Sequence, residues 1–269
     1  MSRHYKLSII LILLTLMSLF AALRMRAAAP LLSSRAMGGL PQTMLWAWER
    51  AENLQFIDPQ TMGVAYLAKT IYLRGDQVVV KPRLQPLNIP QNTIVMPVVR
   101  IEAGTKQHPF LSPAQLKTTI AAICPLVTAN TTTIQIDFDA TVSERGFYRQ
   151  LLQQLRSQLP PNVAISITAL ASWTTYDGWL KGLPIDEAVP MLFRMSTDRP
   201  QILARLRAHQ DFSYPVCRTS IGMATDEALP WLPSGRRIYI FAAQNWTPAL
   251  LQETLRKAKQ WQSAPQFVD

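Results

Sequence analysis

Residues Thr133-Ile134-Gln135-Ile136-Asp137-Phe138-Asp139-Ala140 alternate between apolar and polar side chains from Ile134 to Asp139. A strand turns successive side chains to opposite faces, so Ile134, Ile136 and Phe138 share one face and Gln135, Asp137 and Asp139 the other. Outward from this segment, short runs rich in Val, Ile, Tyr and Phe recur along the chain: Met44–Trp48, Gly63–Ala68, Ile94–Glu102, Ala164–Ala171, Ala188–Met195, Thr219–Ala224 and Arg237–Gln244. Most are nearly continuous in apolarity, as strands covered on both faces must be. Helix starts fall between them. Ser112-Pro113-Ala114-Gln115 combines a capping hydroxyl, a first-turn proline and a glutamine that reaches back, with Leu111 and Leu116 placed as a hydrophobic staple. Ser143 with Val142 and Phe147, and Thr247-Pro248 with Trp246 and Leu251, repeat the pattern.

Eight strands alternating with helices predict an α/β fold, a closed (β/α)8 TIM-barrel-like single domain. Helices outside such a barrel require the apolar face of Ile134–Asp139 to turn outward, which aims both aspartates into the barrel mouth. Residues 71–87 read as a hairpin inserted after the second strand, because Arg74-Gly75-Asp76 precedes an alternating Gln77–Lys81. Prolines crowd the sixth and eighth units, where short or missing helices are expected.

The chain of 269 residues carries a net charge of +10, with 48% hydrophobic and 16% charged residues, which excludes disorder. Two cysteines exclude a disulfide scaffold or a multi-cysteine zinc module, and three scattered histidines argue against a histidine metal site. Cys124 and Cys217 are expected to stay unpaired. No cofactor is expected and the leading reading holds no metal; a divalent-cation site built from Asp137, Asp139, Glu102 and Asn245 is a third option, since hard cations take such oxygen ligands. Residues 1–29 hold Arg3, Lys6, Arg24 and Arg26 and no acid, and removing them leaves 23 basic and 17 acidic residues without a basic run. No nucleic-acid partner is expected.

A basic start followed by the 17-residue apolar stretch Leu7–Leu23 reads as an export segment. Residues 1–29 are a signal peptide or an N-terminal membrane anchor, 30–43 a linker and 44–269 the barrel. The protein is then exported: periplasmic, or anchored to the inner membrane facing the periplasm. Any membrane contact runs through this segment alone.

Barrel enzymes carry their chemistry at the carboxyl ends of the strands. Those ends offer Glu49, Glu102, Asp137 and Asp139 beside Trp48, Trp173, Trp246, Asn245 and Arg194. Two neighbouring carboxylates resist ionising together, so one is pushed to a raised pKa and can donate a proton. Glycosidic cleavage needs such a pair. Asp139, Asp137 and Glu102 are the candidate catalytic residues. Trp173, Trp246, Asn245, Glu49, Trp48 and Arg194 are the candidate substrate contacts, since aromatic faces stack on the C–H surface of sugars. Trp46 and Trp48 are not expected to share one role. Asp137 paired structurally with Arg100 or Arg194 is the bland alternative.

Leu45-Trp46-Ala47-Trp48-Glu49-Arg50, Arg100-Ile101-Glu102, Gln135-Ile136-Asp137-Phe138-Asp139-Ala140 and Pro190-Met191-Leu192-Phe193-Arg194-Met195 resemble a bacterial family known as domain of unknown function 3142. The resemblance implies an exported barrel protein and supplies no activity. A more distant similarity is to chitinase-like glycosidases, whose fourth strand ends in Asp-x-Asp-x-Glu. Here Gln135, Asp137 and Asp139 hold the alternate positions, and Phe193-Arg194 stands where that family has tyrosine and aspartate. The function expected from these features is glycoside hydrolysis on an envelope or extracellular polysaccharide by carboxylate general acid/base chemistry. The alternative is a non-catalytic barrel that binds carbohydrate or a partner in the cell envelope.

Overall fold

The computed structural model describes residues 37–104 and 106–264. The apolar leader lies outside them. No helix among the described residues is long and apolar enough to cross a membrane.

Eight parallel strands close on themselves: β1 (Thr43–Ala47), β3 (Met62–Arg74), β6 (Val95–Ala103), β7 (Thr133–Asp137), β8 (Ala164–Leu170), β9 (Glu187–Met191), β10 (Ser220–Ala224) and β11 (Arg237–Phe241). Strand β1 completes the cylinder by pairing with β3 through Thr43 and Met62 and with β11 through Thr43 and Ile238. All eight predicted strands are present, within a few residues of their expected limits. The hairpin differs in origin. Strand β3 runs 13 residues, past the barrel rim, before it turns into antiparallel β4 (Gln77–Pro82). The predicted insertion is thus the second barrel strand prolonged. The short strands β2 (Glu52–Asn53) and β5 (Leu87–Asn88) pair beside it.

Four longer helices cover the outside: α1 (Pro113–Ile123), α2 (Arg145–Gln158), α3 (Arg199–Arg207) and α4 (Pro248–Gln262). They follow the third, fourth, sixth and eighth barrel strands. The first and seventh connections are loops, the second is the hairpin, and the fifth consists of 3-10 turns at Ala171–Thr174 and Gly178–Leu180. The sixth unit carries a short helix of nine residues, and the expectation of a thin eighth unit is corrected, since its helix runs 15 residues. Pro200 and Pro248 sit in their first turns, where a missing N–H costs nothing.

Two of the three caps form as read. Ser112 and Gln115 make a reciprocal capping box, and the Thr247 hydroxyl accepts from the Leu250 N–H. Ser143 does not cap α2. Its hydroxyl meets that of Thr141 at 3.1 Å, and Val142 is exposed rather than stapled.

Side-chain alternation separates two cores. Leu45, Ile101, Ile134, Ile136, Phe138, Ile165, Ile167, Ile221 and Ile240 pack outward into the helix-side core. Met44, Trp46, Ala65, Met96, Val98, Val189 and Tyr239 fill the interior, sealed from below by Leu40. Trp46 crosses the axis, and Gly222 makes room for it: a β-carbon there would lie 2.9 Å from Trp46 Cη2.

A buried polar chain runs beneath it. Trp46 Nε1 donates to Gln135 Oε1 at 2.8 Å, Gln135 Nε2 to Ser166 Oγ at 3.1 Å, and Ser166 Oγ to Glu187 Oε2 at 2.7 Å. Glu187 also accepts from Tyr239 at 2.9 Å and pairs with Arg237 at 2.8 Å. Arg237 in turn donates to the Met37 and Pro41 carbonyls, tying the incoming chain across the barrel floor.

Candidate active site

Strand alternation carries Arg100, Asp137 and Thr168 to the carboxyl ends of β6, β7 and β8, facing inward above the Trp46 layer. Register reinforces this, since Arg100 stands opposite Asp137 across the β6–β7 ladder. The cleft above them measures about 450 Å³, within the usual range of ligand pockets. One wall is aromatic. Phe193 and Phe241 stack at 5.6 Å, Trp48 meets Phe241 edge-on at 6.1 Å, and Trp46 meets Phe193 at 5.9 Å. Trp46 and Trp48 line the cleft together, as the period of two along a strand requires and contrary to the expectation of separate roles.

The loop after β1 holds Trp48 through backbone carbonyls. Arg83 donates to the carbonyls of Ala47, Trp48 and Arg50. Arg50 reaches the Ala242 and Gln244 carbonyls, each at 2.6 Å, and pairs with buried Glu52. The opposite lip, after β9, is strained: Arg194 and Ser196 adopt φ of 53° and 49°, a conformation that L side chains rarely take. Arg194 is latched there by Asp226 at 2.7 Å and Glu227 at 2.5 Å, and Glu227 also holds Arg199 at 2.6 Å.

Asp137 is buried and accepts from Thr168 Oγ1 at 2.6 Å. Burial pushes its carboxyl above the usual carboxylate range, opposed by the Thr168 hydrogen bond and Arg100 and reinforced by Glu102. Asp139 lies two residues beyond the strand end and is pushed up to about 7, first by desolvation and then by the Asp137 charge, with Arg100 opposing. Asp139 is open to solvent at the lip, so water screens both the desolvation and the Asp137 charge in part. Among the described residues neither aspartate forms an ion pair. Arg100 pairs with Glu102 at 2.9 Å instead, and its guanidinium lies 5.8 Å from the Trp48 ring centre.

The remaining expected residues fall in three places. Arg194 joins Asp137, Asp139 and Trp48 around the cleft. Glu102 lines a second cavity that shares Arg100, Asp137 and Asp139 with the first. Trp173, Trp246, Asn245 and Glu49 do not reach the cleft, which corrects their expected role. Trp173 turns back into the helix-side core against Trp179, at 5.7 Å. Trp246 is buried and donates to the Trp46 carbonyl at 3.3 Å. Asn245 is exposed beside it, outside the cleft lining. Glu49 is exposed and accepts from Thr70 in a separate small cavity.

The sequence reading missed Phe193, Phe241, Met191, Met195, Thr168 and Asp198, all around the cleft. Inward parity on β8 and β11 would have found Thr168 and Phe241. Among the described residues no group of three or more His, Cys, Asp or Glu side chains is placed to hold a metal ion. Both cysteines are unpaired.

Residues 93–203 match the model of a family described as a domain of unknown function (DUF3142), the family that the sequence strings resemble. The matched stretch contains Arg100, Glu102, Asp137, Asp139 and Arg194 and leaves out Trp48 and Phe241. No curated protein and no solved structure matches the chain.

Proposed function

We propose, from the chemistry of the cleft and the basic, apolar leader, that the protein is an exported glycoside-hydrolase-like barrel acting on an envelope or extracellular polysaccharide. The single observation that carries this proposal is the pair Asp137 and Asp139. Two neighbouring carboxyl groups, without an ion pair among the described residues, lie beside an aromatic wall at the carboxyl end of a barrel, Asp137 raised by burial and Asp139 by desolvation and the Asp137 charge. An acid poised near neutral pH is what proton donation to a glycosidic oxygen requires.

Asp139 in its acid form gives its proton to the leaving oxygen as the bond from that oxygen to the anomeric carbon breaks. Water adds its oxygen to the anomeric carbon and passes its proton to Glu102, which Arg100 orients from the adjoining cavity. Release of that proton to solvent and reprotonation of Asp139 restore the site. Asp137, fixed by Thr168, keeps Asp139 protonated and faces the positive charge that develops on the sugar. Trp48 and Phe241 offer apolar faces to the sugar rings. No cofactor enters this scheme. Export follows from the basic, apolar leader.

The test compares the full-length chain with Asp139→Asn on bacterial envelope and extracellular polysaccharides, reading new reducing ends and binding. Turnover by the wild type that vanishes in the variant while binding persists is the expected result. Binding by both proteins with turnover by neither would replace the hydrolase by a carbohydrate-binding barrel.

A further inference from the structure

The second cavity, of about 500 Å³, does not end at Glu102. A third, of about 530 Å³, shares Glu102, Ala103 and Gly104 with it. The three cavities adjoin through these shared lining residues, in a furrow of three chemical zones. Trp48, Phe193 and Phe241 line one end, Asp137 and Asp139 stand between the first two cavities, and Arg74 and Lys106 line the far end.

The far end is built into the fold. The 13-residue β3 carries Arg74 beyond the barrel rim, and its guanidinium rests over the Tyr72 ring at 4.8 Å. Backbone bonds lace the neighbouring loop to the hairpin: Gly104 N–H donates to Leu73 O at 2.9 Å, Gly75 N–H to Gln107 O at 3.3 Å, and Phe110 N–H to Gly75 O at 2.7 Å. Gly104 is needed for this fit, because a β-carbon there would lie 2.9 Å from Gln107 O and 3.2 Å from Arg74 Cγ. Glu102, the one acid lining this cavity, has Arg100 as its partner. Among the described residues neither Arg74 nor Lys106 has an ion-pair partner, so the furrow ends in two uncompensated cations.

We infer that the furrow binds an extended acidic glycan, with neutral ring faces on the aromatic wall and an anionic substituent held by Arg74 and Lys106. A guanidinium fork matches a carboxylate or a phosphate through paired N–H groups. This inference rests on the hydrolase proposal for the position of the reacting bond and adds the class of chain that lies across it. A furrow open past the acids on both sides suits internal segments of a polymer rather than a single terminal sugar.

The test measures binding of hexagalacturonate and of its fully methyl-esterified, uncharged form to the full-length chain at low salt by calorimetry. The acid form is expected to bind about tenfold tighter than the ester. Arg74→Ala combined with Lys106→Ala removes that preference and leaves ester binding unchanged, whereas Trp48→Ala weakens both. Equal binding of acid and ester, a preference that survives the double variant, or binding of neither form overturns the inference. The hydrolase proposal is judged separately, by the turnover of Asp139→Asn.

Discussion

Replacing Arg237 with Met tests how much the barrel floor depends on its buried charge pair. Glu187 is fully buried and accepts hydrogen bonds from Arg237, Ser166 and Tyr239. Arg237 is nearly as buried and also satisfies the Met37 and Pro41 carbonyls. Methionine fills a similar volume, so little cavity cost is expected; the loss comes from leaving Glu187 charged and unpaired in the interior. Removing one partner of a buried pair costs about 3–5 kcal/mol. The carbonyls stranded on Met37 and Pro41 place this variant toward the upper end. That is a large share of the roughly 5–15 kcal/mol that holds a domain together. In urea, with a slope of about 3 kcal/mol per molar, the midpoint of the full-length chain should fall by more than about 1 M. Adding Glu187→Gln removes the orphaned charge and should recover most of that loss, a coupling between contacting residues of more than about 1 kcal/mol. A single variant within about 1 kcal/mol of the wild type, or a double variant as unstable as the single, would mean that Glu187 does not depend on Arg237 and that water already reaches it.

Other perturbations separate the cleft from its support. Gly222→Ala puts a β-carbon against the Trp46 ring; displacing the ring strains its bond to Gln135 and should cost about 1–3 kcal/mol in thermal unfolding, with altered tryptophan fluorescence. Glu227→Gln weakens the latch on Arg194 and Arg199; hydrogen exchange should quicken over residues 192–198 while the urea midpoint stays nearly unchanged. Under native conditions a thiol reagent should modify Cys124, which is half-buried, and spare Cys217, which is buried with its thiol pushed up to about 12; urea should expose both.

The barrel was legible because its strands are covered on both faces and their apolar runs have few other readings. Which units lack helices was not legible. Proline density pointed to the sixth and eighth units, yet both carry helices, the eighth at the Thr247-Pro248 start that the cap pattern marks, and the 3-10 turns after β8 carry no warning in composition. The inward aim of Asp137 followed from alternation alone, because Ile134, Ile136 and Phe138 had to meet the helices. Trp173 and Trp246 went astray for a physical reason: beyond a strand end the period of two lapses, and a large ring turns to whichever core lies nearest. Phe193, Phe241 and Met191 escaped notice because apolar residues at the end of an apolar run look like packing until the barrel closes around them.

In the proposed reaction Asp139, raised to about 7 by desolvation and by the Asp137 charge, would donate the proton. The most direct measurement is the pH dependence of kcat/KM on a polysaccharide that the wild type cleaves, for the wild type and for Asp137→Asn. A general acid works while protonated, so activity should fall as pH rises through about 7. Removing the Asp137 charge should move that fall to lower pH. A falling limb that stays at the same pH in the variant, or no fall between pH 6 and 9, would rule out Asp139 as the proton donor.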